Sequence, residues 1–141
     1  MAGTVQIEIV TPEKYVVQDE AQIVMAPGVQ GEFGVLVGHT PFLTALKTGA
    51  VHYTDAQGAE HYVFVSGGFA EALPNKVTIL AESAERRRDI DIERARAALE
   101  RAQKRLADLR AKEEVDFARA QAALQRAVVR LKIVEGRPTQ H

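Results

Sequence analysis

No cysteine occurs among the 141 residues, which excludes disulfides and thiolate metal sites and fits a reducing compartment. No stretch approaches the ~20 consecutive apolar residues needed to span a bilayer. The first residues, Met-Ala-Gly-Thr-Val-Gln-Ile-Glu, have neither a basic n-region nor an apolar h-region and do not read as a signal peptide. Any membrane association is therefore expected to go through a partner. Aromatic residues are scarce, 6% of the chain with only Phe117 beyond residue 85, which argues against base stacking and hence against a nucleic-acid partner. Motifs of catalysis are missing too: there is no Gly-x-x-x-x-Gly-Lys-Ser/Thr phosphate loop and no His-Glu-x-x-His. An enzyme is the least expected class, and no catalytic residue is assigned.

Two features mimic sites without being convincing ones. Gly28-Val29-Gln30-Gly31-Glu32-Phe33-Gly34 is glycine-rich, but no helical pattern or lysine follows it. It reads as a tight loop that needs positive φ rather than as a dinucleotide site. His39 sits in Gly38-His39-Thr40-Pro41, His52 and His61 fall on predicted strands, and His141 is terminal. Scattered in this way they read as structural or solvent-facing, with no metal site.

What is present divides the chain in two. The 46% hydrophobic content is that of a globular protein, and the length suits one domain or a small domain with an appendage. The formal charge of −1 hides an asymmetry. Residues 1–85 carry three basic and ten acidic residues, a balance of −7, and residues 86–141 carry fifteen and nine, a balance of +6. Such a split predicts two modules with different surfaces.

Residues 1–85 read as a β-sandwich or flattened barrel. Val5, Ile7 and Ile9 alternate with Gln6 and Glu8, the period of a half-buried strand. Further strands are predicted at about 22–25, 34–37, 50–54, 61–66, 69–72 and 77–81, with Asp55-Ala56-Gln57-Gly58 as a hairpin loop and Pro74-Asn75 as another turn. Pro41–Lys47 is open between strand and short helix.

Residues 86–141 read as an antiparallel α-helical hairpin, giving an α+β chain overall. Beyond Glu85-Arg86-Arg87-Arg88-Asp89 no glycine or proline occurs before Gly136. Ala95, Leu99, Ala102, Leu106 and Leu109 form one heptad-like seam, and Phe117, Ala120, Leu124, Ala127 and Leu131 form another. Asp89 or Asp91 suits the first cap and Asp116 the second, while Gly136 and Pro138 stop the second helix. The link Lys112-Glu113-Glu114-Val115 is a poor turn. A hairpin is still favoured over one continuous helix, because each seam would otherwise face water.

If the turn centres between Glu113 and Glu114, level partners in the two helices have residue numbers that sum to about 227. Arg126 then lies across from Arg101, and Arg130 faces the stretch between Arg94 and Arg101. Two readings stay open at this point. In one, the arginines form a solvated face paired with Asp91, Glu93 and Glu100, each pair contributing ~0–1 kcal/mol. In the other, the guanidinium forks gather around phosphate oxygens, and Asp91 caps the helix or accepts hydrogen bonds from a base or sugar.

Several strings resemble the epsilon subunit family of bacterial F-type ATP synthase. They are Val10-Thr11-Pro12, Gly31-Glu32-Phe33-Gly34-Val35-Leu36, Gly38-His39-Thr40-Pro41, Val65-Ser66-Gly67-Gly68-Phe69 and Val77-Thr78-Ile79-Leu80-Ala81, in fixed order through the sandwich. Ile90, Asp91, Arg94 and Ala95 match the family's Ile/Leu-Asp-x-x-Arg-Ala pattern, and Arg126 and Arg130 match its second-helix arginines. The resemblance implies a rotor subunit of the central stalk, coupling the gamma subunit to the c-ring of a proton- or sodium-translocating complex. It implies c-ring contacts at Glu32 and His39, and a mobile hairpin that suppresses ATP hydrolysis when extended toward the catalytic alpha/beta head. ATP is implied as a regulatory ligand of the folded hairpin, with no cofactor required. The implied nucleotide residues are Glu85, Ile90, Asp91, Arg94, Ala95, Arg101, Arg126 and Arg130. The implied location is the cytoplasmic face of the bacterial inner membrane, peripheral and held through the complex. The alternatives are a static rotor clamp without nucleotide binding and, from another class, a nucleic-acid-binding module using the basic hairpin. The run Arg86-Arg87-Arg88 departs from the family pattern, being more basic than the resemblance implies.

Overall fold

The computed structural model describes residues 3–109 and 114–136, leaving the side chain of Leu109 aside. The chain divides into two compact units, Met1–Arg87 and Arg88–His141.

The first unit is all β. Its strands are β1 (Val5–Val10), β2 (Tyr15–Gly28), β3 (Gly31–Val35), β4 (Phe42–Asp55), β5 (Glu60–Leu73), β6 (Lys76–Leu80) and β7 (Ala84–Arg86). They follow the order β1-β6-β5-β4-β2-β3, and β1 also pairs with β2, so the ladder closes on itself as a flattened barrel. The β1–β6 pairing is parallel, whereas β1–β2 and β4–β5 are antiparallel. The alternation in β1 works as expected: Val5, Ile7 and Ile9 are fully buried while Gln6 is exposed. Their inward row meets Val17, Val24, Val51, Val65, Val77 and Ile79 in one continuous core. Pro41–Lys47, open between strand and helix, supplies the start of β4 from Phe42 onward.

The long strands serve two neighbours each. β2 pairs with β1 over residues 15–21 and with β4 and β3 further along. β5 pairs with β7 at Val63–Val65 and with β6 at Phe69–Leu73, while β4 runs beside nearly all of it. The change of partner falls at Gly67 and Gly68, whose φ angles are 90° and 121°. A Cβ on Gly68 would run into the Leu80 carbonyl oxygen. The two strands expected at 61–66 and 69–72 are therefore one bent strand. Glycine turns the corner without breaking the β4–β5 ladder.

The second unit is a helix pair. A 3₁₀ turn at Arg87–Asp89 bridges the boundary between the units. Then come α1 (Ile92–Leu109) and α2 (Glu114–Glu135). Asp91 is the first cap: its Oδ1 accepts the Arg94 amide at 3.0 Å, and its carbonyl accepts the Ala95 amide at 3.0 Å. Asp116 does not cap α2, because that helix already runs from Glu114; it stands in the first turn, where a carboxylate favours the helix dipole. The helices pack on each other, and Arg96 near the start of α1 pairs with Glu135 at the end of α2 (3.6 Å), so they run antiparallel. Ala95, Ala102, Ala120, Ala127 and Leu131 of the expected seams are buried. Val129 and Ile133 are buried as well, off those seams. The Gly136 amide reaches the Lys132 carbonyl at 3.1 Å where α2 ends. Glu113, Pro138 and His141 lie outside the described residues.

Candidate functional site

The expected nucleotide residues fall into three groups. Ile90, Asp91, Arg94 and Ala95 form the entrance and first turn of α1, with Ile90 and Ala95 buried and Asp91 and Arg94 exposed. Arg101 is exposed two turns further along α1. Arg126 and Arg130 are half-buried, one turn apart on α2. Glu85 belongs to the first unit, on β7, where it is in register with Phe64.

The Arg96–Glu135 pair sets the start of α1 beside the end of α2, so Arg94 and Arg101 on α1 and Arg126 and Arg130 on α2 belong to one antiparallel helix pair.

The electrostatics are informative. Arg96 takes the carboxylates, at 3.5 Å from Glu93 and 3.6 Å from Glu135. Arg94, Arg101 and Arg126 make no ion pair among the described residues. Asp91, available in principle to Arg94, is committed through Oδ1 to the helix cap. The solvated, internally paired face considered above therefore describes Arg96 and not the other three.

Glu32 and His39 are placed differently from each other. Both were expected in loops, but Glu32 lies on β3, in register with Pro27, and its carboxylate is 3.4 Å from His52 Nε2. The glycine whose φ of 134° turns the chain is Gly31, next to it. His39 is in the turn between β3 and β4. Its Nδ1 is 2.6 Å from the Thr40 carbonyl, and its ring meets Phe42 edge-on at 5.0 Å. Phe42 in turn contacts Phe33, so Glu32 and His39 belong to one edge of the barrel, with Leu36 and Val37 exposed beside His39.

A polar network occupies the loop end of β4 and β5. Asp55 Oδ1 accepts the amides of Gln57 and Ala59 at 2.9 Å, and Oδ2 faces His61 Nε2 at 2.8 Å. His61 and these amides hold the Asp55 carboxyl below the usual carboxylate range. His61 stacks on Tyr53, whose hydroxyl donates to Asp19 at 3.0 Å. Burial above all, and then Asp19, pushes the Tyr53 hydroxyl up to about 12. Asp19, Asp55 and His61 offer donor atoms within 4.8 Å of one another. Those of Asp55, and the Asp19 oxygen that takes the Tyr53 hydroxyl, are already engaged, so the group reads as a hydrogen-bonded lock on the hairpin loop.

Sequence reading missed one surface. Leu43, Phe69 and Leu80 are exposed, and cross-strand register aligns Ala45, Phe69, Leu80 and Val10 in one row on the outer face of β4, β5, β6 and β1. The signal was available: on a strand with Ala70 and Ala72 turned inward, Phe69 and Leu73 are apolar where a solvated face would be polar.

Comparison with known proteins bears on these surfaces. Residues 4–87 match the family described as ATP synthase, Delta/Epsilon chain, beta-sandwich domain, and residues 88–135 match its long alpha-helix domain. Similar chains include the ATP synthase epsilon chain of Desulfosudis oleivorans, 66% identical over 106 residues covering 75% of this chain and 80% of that one. The epsilon chain of Desulfatibacillum aliphaticivorans is 64% identical over 106 residues, 75% of each chain. In fold, the chain resembles one in the Euglena gracilis mitochondrial ATP synthase, OSCP/F1/c-ring in rotational state 1. There the TM-score is 0.76 at 23% identity, over 89% of this chain and 78% of that one.

Proposed function

The chain belongs to the delta/epsilon chain family of ATP synthase, as a non-catalytic stalk subunit, and from that premise we propose that its hairpin is a nucleotide-responsive brake on ATP hydrolysis. In the folded hairpin, Arg94, Arg101, Arg126 and Arg130 surround the phosphates of ATP, and Ile90, Asp91 and Ala95 form the base and ribose end. The observation that carries this reading is the lack of any ion pair at Arg94, Arg101 and Arg126 among the described residues, while Arg96 beside them has two carboxylates. A guanidinium with no carboxylate keeps its donors for an anion, and its planar fork fits phosphate oxygens.

ATP acts here as a regulatory ligand. It biases the hairpin only by its difference in affinity between the closed and extended forms. Extension separates the arginines of α1 from those of α2 and abolishes the site. The released helices then reach the alpha/beta head. The barrel docks the gamma subunit through the apolar row around Leu43, Phe69 and Leu80, and meets the c-ring through the Glu32–His39 edge. No helix among the described residues is long and apolar enough to cross a membrane. In this reading the subunit sits at the cytoplasmic face of the inner membrane, held there by the complex.

Calorimetric titration of ATP into the full chain tests the nucleotide site. A charge-assisted hydrogen bond contributes ~1.5–3 kcal/mol, so Arg126→Ala is expected to weaken binding roughly ten- to a hundredfold while the barrel stays folded. Equal affinities would remove Arg126 from the site. No binding by the wild-type chain would leave a static rotor clamp.

A further inference from the structure

The run Arg86-Arg87-Arg88 is a cluster of like charge at the boundary between the two units. Two of its three members are engaged by the barrel. Arg86 Nε donates to the Val16 carbonyl on β2 at 3.0 Å. Its guanidinium is close enough to Tyr53 to oppose the influence of Asp19 on that hydroxyl. Arg87 lies over the ring of Tyr62, its Cζ 5.7 Å from the centroid. Tyr62 is itself fixed, stacked on His52 at 5.5 Å and donating to Glu60 at 3.1 Å.

These contacts matter because β7 is only three residues long. A ladder of that length has little cooperativity of its own. Its other end is fastened by Ser83, whose amide reaches Ser66 Oγ at 3.0 Å and whose hydroxyl lies 2.8 Å from the same oxygen. Beyond Arg87, Arg88 and Asp89 are exposed, and at Asp91 the chain is fixed again by the cap of α1. Between two fastened ends lies a joint of two exposed residues, Arg88 and Asp89, before Ile90 is buried again.

We propose that Arg86 and Arg87 form a clasp that keeps β7 on the barrel while the hairpin moves, confining the pivot to Arg88 and Asp89. The clasp uses guanidinium groups for a physical reason. A planar cation satisfies a carbonyl on one strand and a ring face on another without needing a buried counter-charge. The function of the clasp rests on the mobile hairpin of the preceding reading, but its existence does not.

Amide hydrogen exchange on the full chain tests it, with and without ATP, for the wild type and for Arg86→Gln/Arg87→Gln. In the wild type, amides of α1 and α2 are expected to exchange faster when ATP is withdrawn, while Glu85, whose amide faces β5 in this ladder, keeps its protection in both conditions. In the double variant the Glu85 amide is expected to exchange roughly tenfold faster or more, with β1, β4 and β6 unchanged. Arg88→Gln, which removes the same charge outside the clasp, is expected to leave β7 protection within about twofold of the wild type. A wild-type Glu85 amide that opens together with the hairpin would overturn the proposal, as would β7 protection indifferent to the double variant or lost equally in Arg88→Gln. A hairpin indifferent to ATP in the wild type would instead sink the nucleotide reading; the clasp would still be judged from the Glu85 amide of the variants.

Discussion

β4 pairs with β5 almost residue for residue from Phe42–Ala72 to Thr54–Glu60, whereas α1 and α2 meet over a seam in which Ala95, Ala102, Ala120 and Ala127 are the buried residues. The two arrangements differ in what forbids a slip. Sliding β4 by one residue would turn every core side chain outward, so the ladder and the core enforce one register together. Alanine seams have small knobs and shallow holes, and a slide of one turn brings alanine against alanine or leucine again. The first kind of packing suits a rigid body, and the second a helix pair held by less specific contacts.

The largest test of the contrast is Gly68→Ala. The residue would need a φ of 121° and would meet the Leu80 backbone, so a loss of about 3 kcal/mol or more is expected. Urea titration followed by tyrosine signal and by helical circular dichroism should show the barrel failing before the helices. Simultaneous loss of both signals would mean that the halves are one cooperative unit and that the contrast is false.

Ile133→Ala attacks the other side. Ile133 is fully buried on α2, and its truncation should cost about 2–4 kcal/mol. The expected result is lost helical signal with an unchanged tyrosine transition. A shift confined to the tyrosine transition would contradict it.

Asp91 separates capping from ligand binding. Asp91→Ala should destabilise α1 by about 1 kcal/mol, while Asp91→Asn keeps the cap and costs a few tenths at most. Thermal melting of the helices should rank the two in that order. Equal melting temperatures would show that the cap contributes nothing to the hairpin.

The smallest effect concerns pH. The Asp55 carboxyl is held below its ordinary value, first by His61 and then by the loop amides. Its contribution to barrel stability is therefore present above the unfolded carboxylate value, about 3.9, and is lost as pH falls through the lower folded value. Melting curves taken downward from pH 5 should fall more steeply for the wild type than for Asp55→Ala. Parallel curves would assign the acid sensitivity to other carboxylates.

How much of this was legible in the sequence depends on the range of the interaction. The inward row of β1, the Asp55–Gly58 turn and the alanine seams follow from repeats of two to four residues, and each is seen where expected. Glu32 was read as a loop residue because glycines flank it, yet only Gly31 turns the chain and Gly34 lies within β3. The spacing of the arginines along each helix was legible. Which of them had carboxylates was not, because Glu135 lies nearly forty residues from Arg96.

The sequence by itself therefore determined the inward row of β1, the helices with their alanine seams, and where the composition changes from barrel to hairpin, but it does not mark Tyr15–Ala21 or β7 as strands. Local periodicity and side-chain volume suffice for that. Only the tertiary structure decided that β1 lies parallel to β6 and antiparallel to β2, that β5 bends at Gly67–Gly68 to serve two partners, and that Arg86 and Arg87 belong to the barrel rather than to the helices. These depend on which distant segment supplies a carbonyl, a ring or a hydrogen-bonding edge, and no pattern within a few residues encodes that choice.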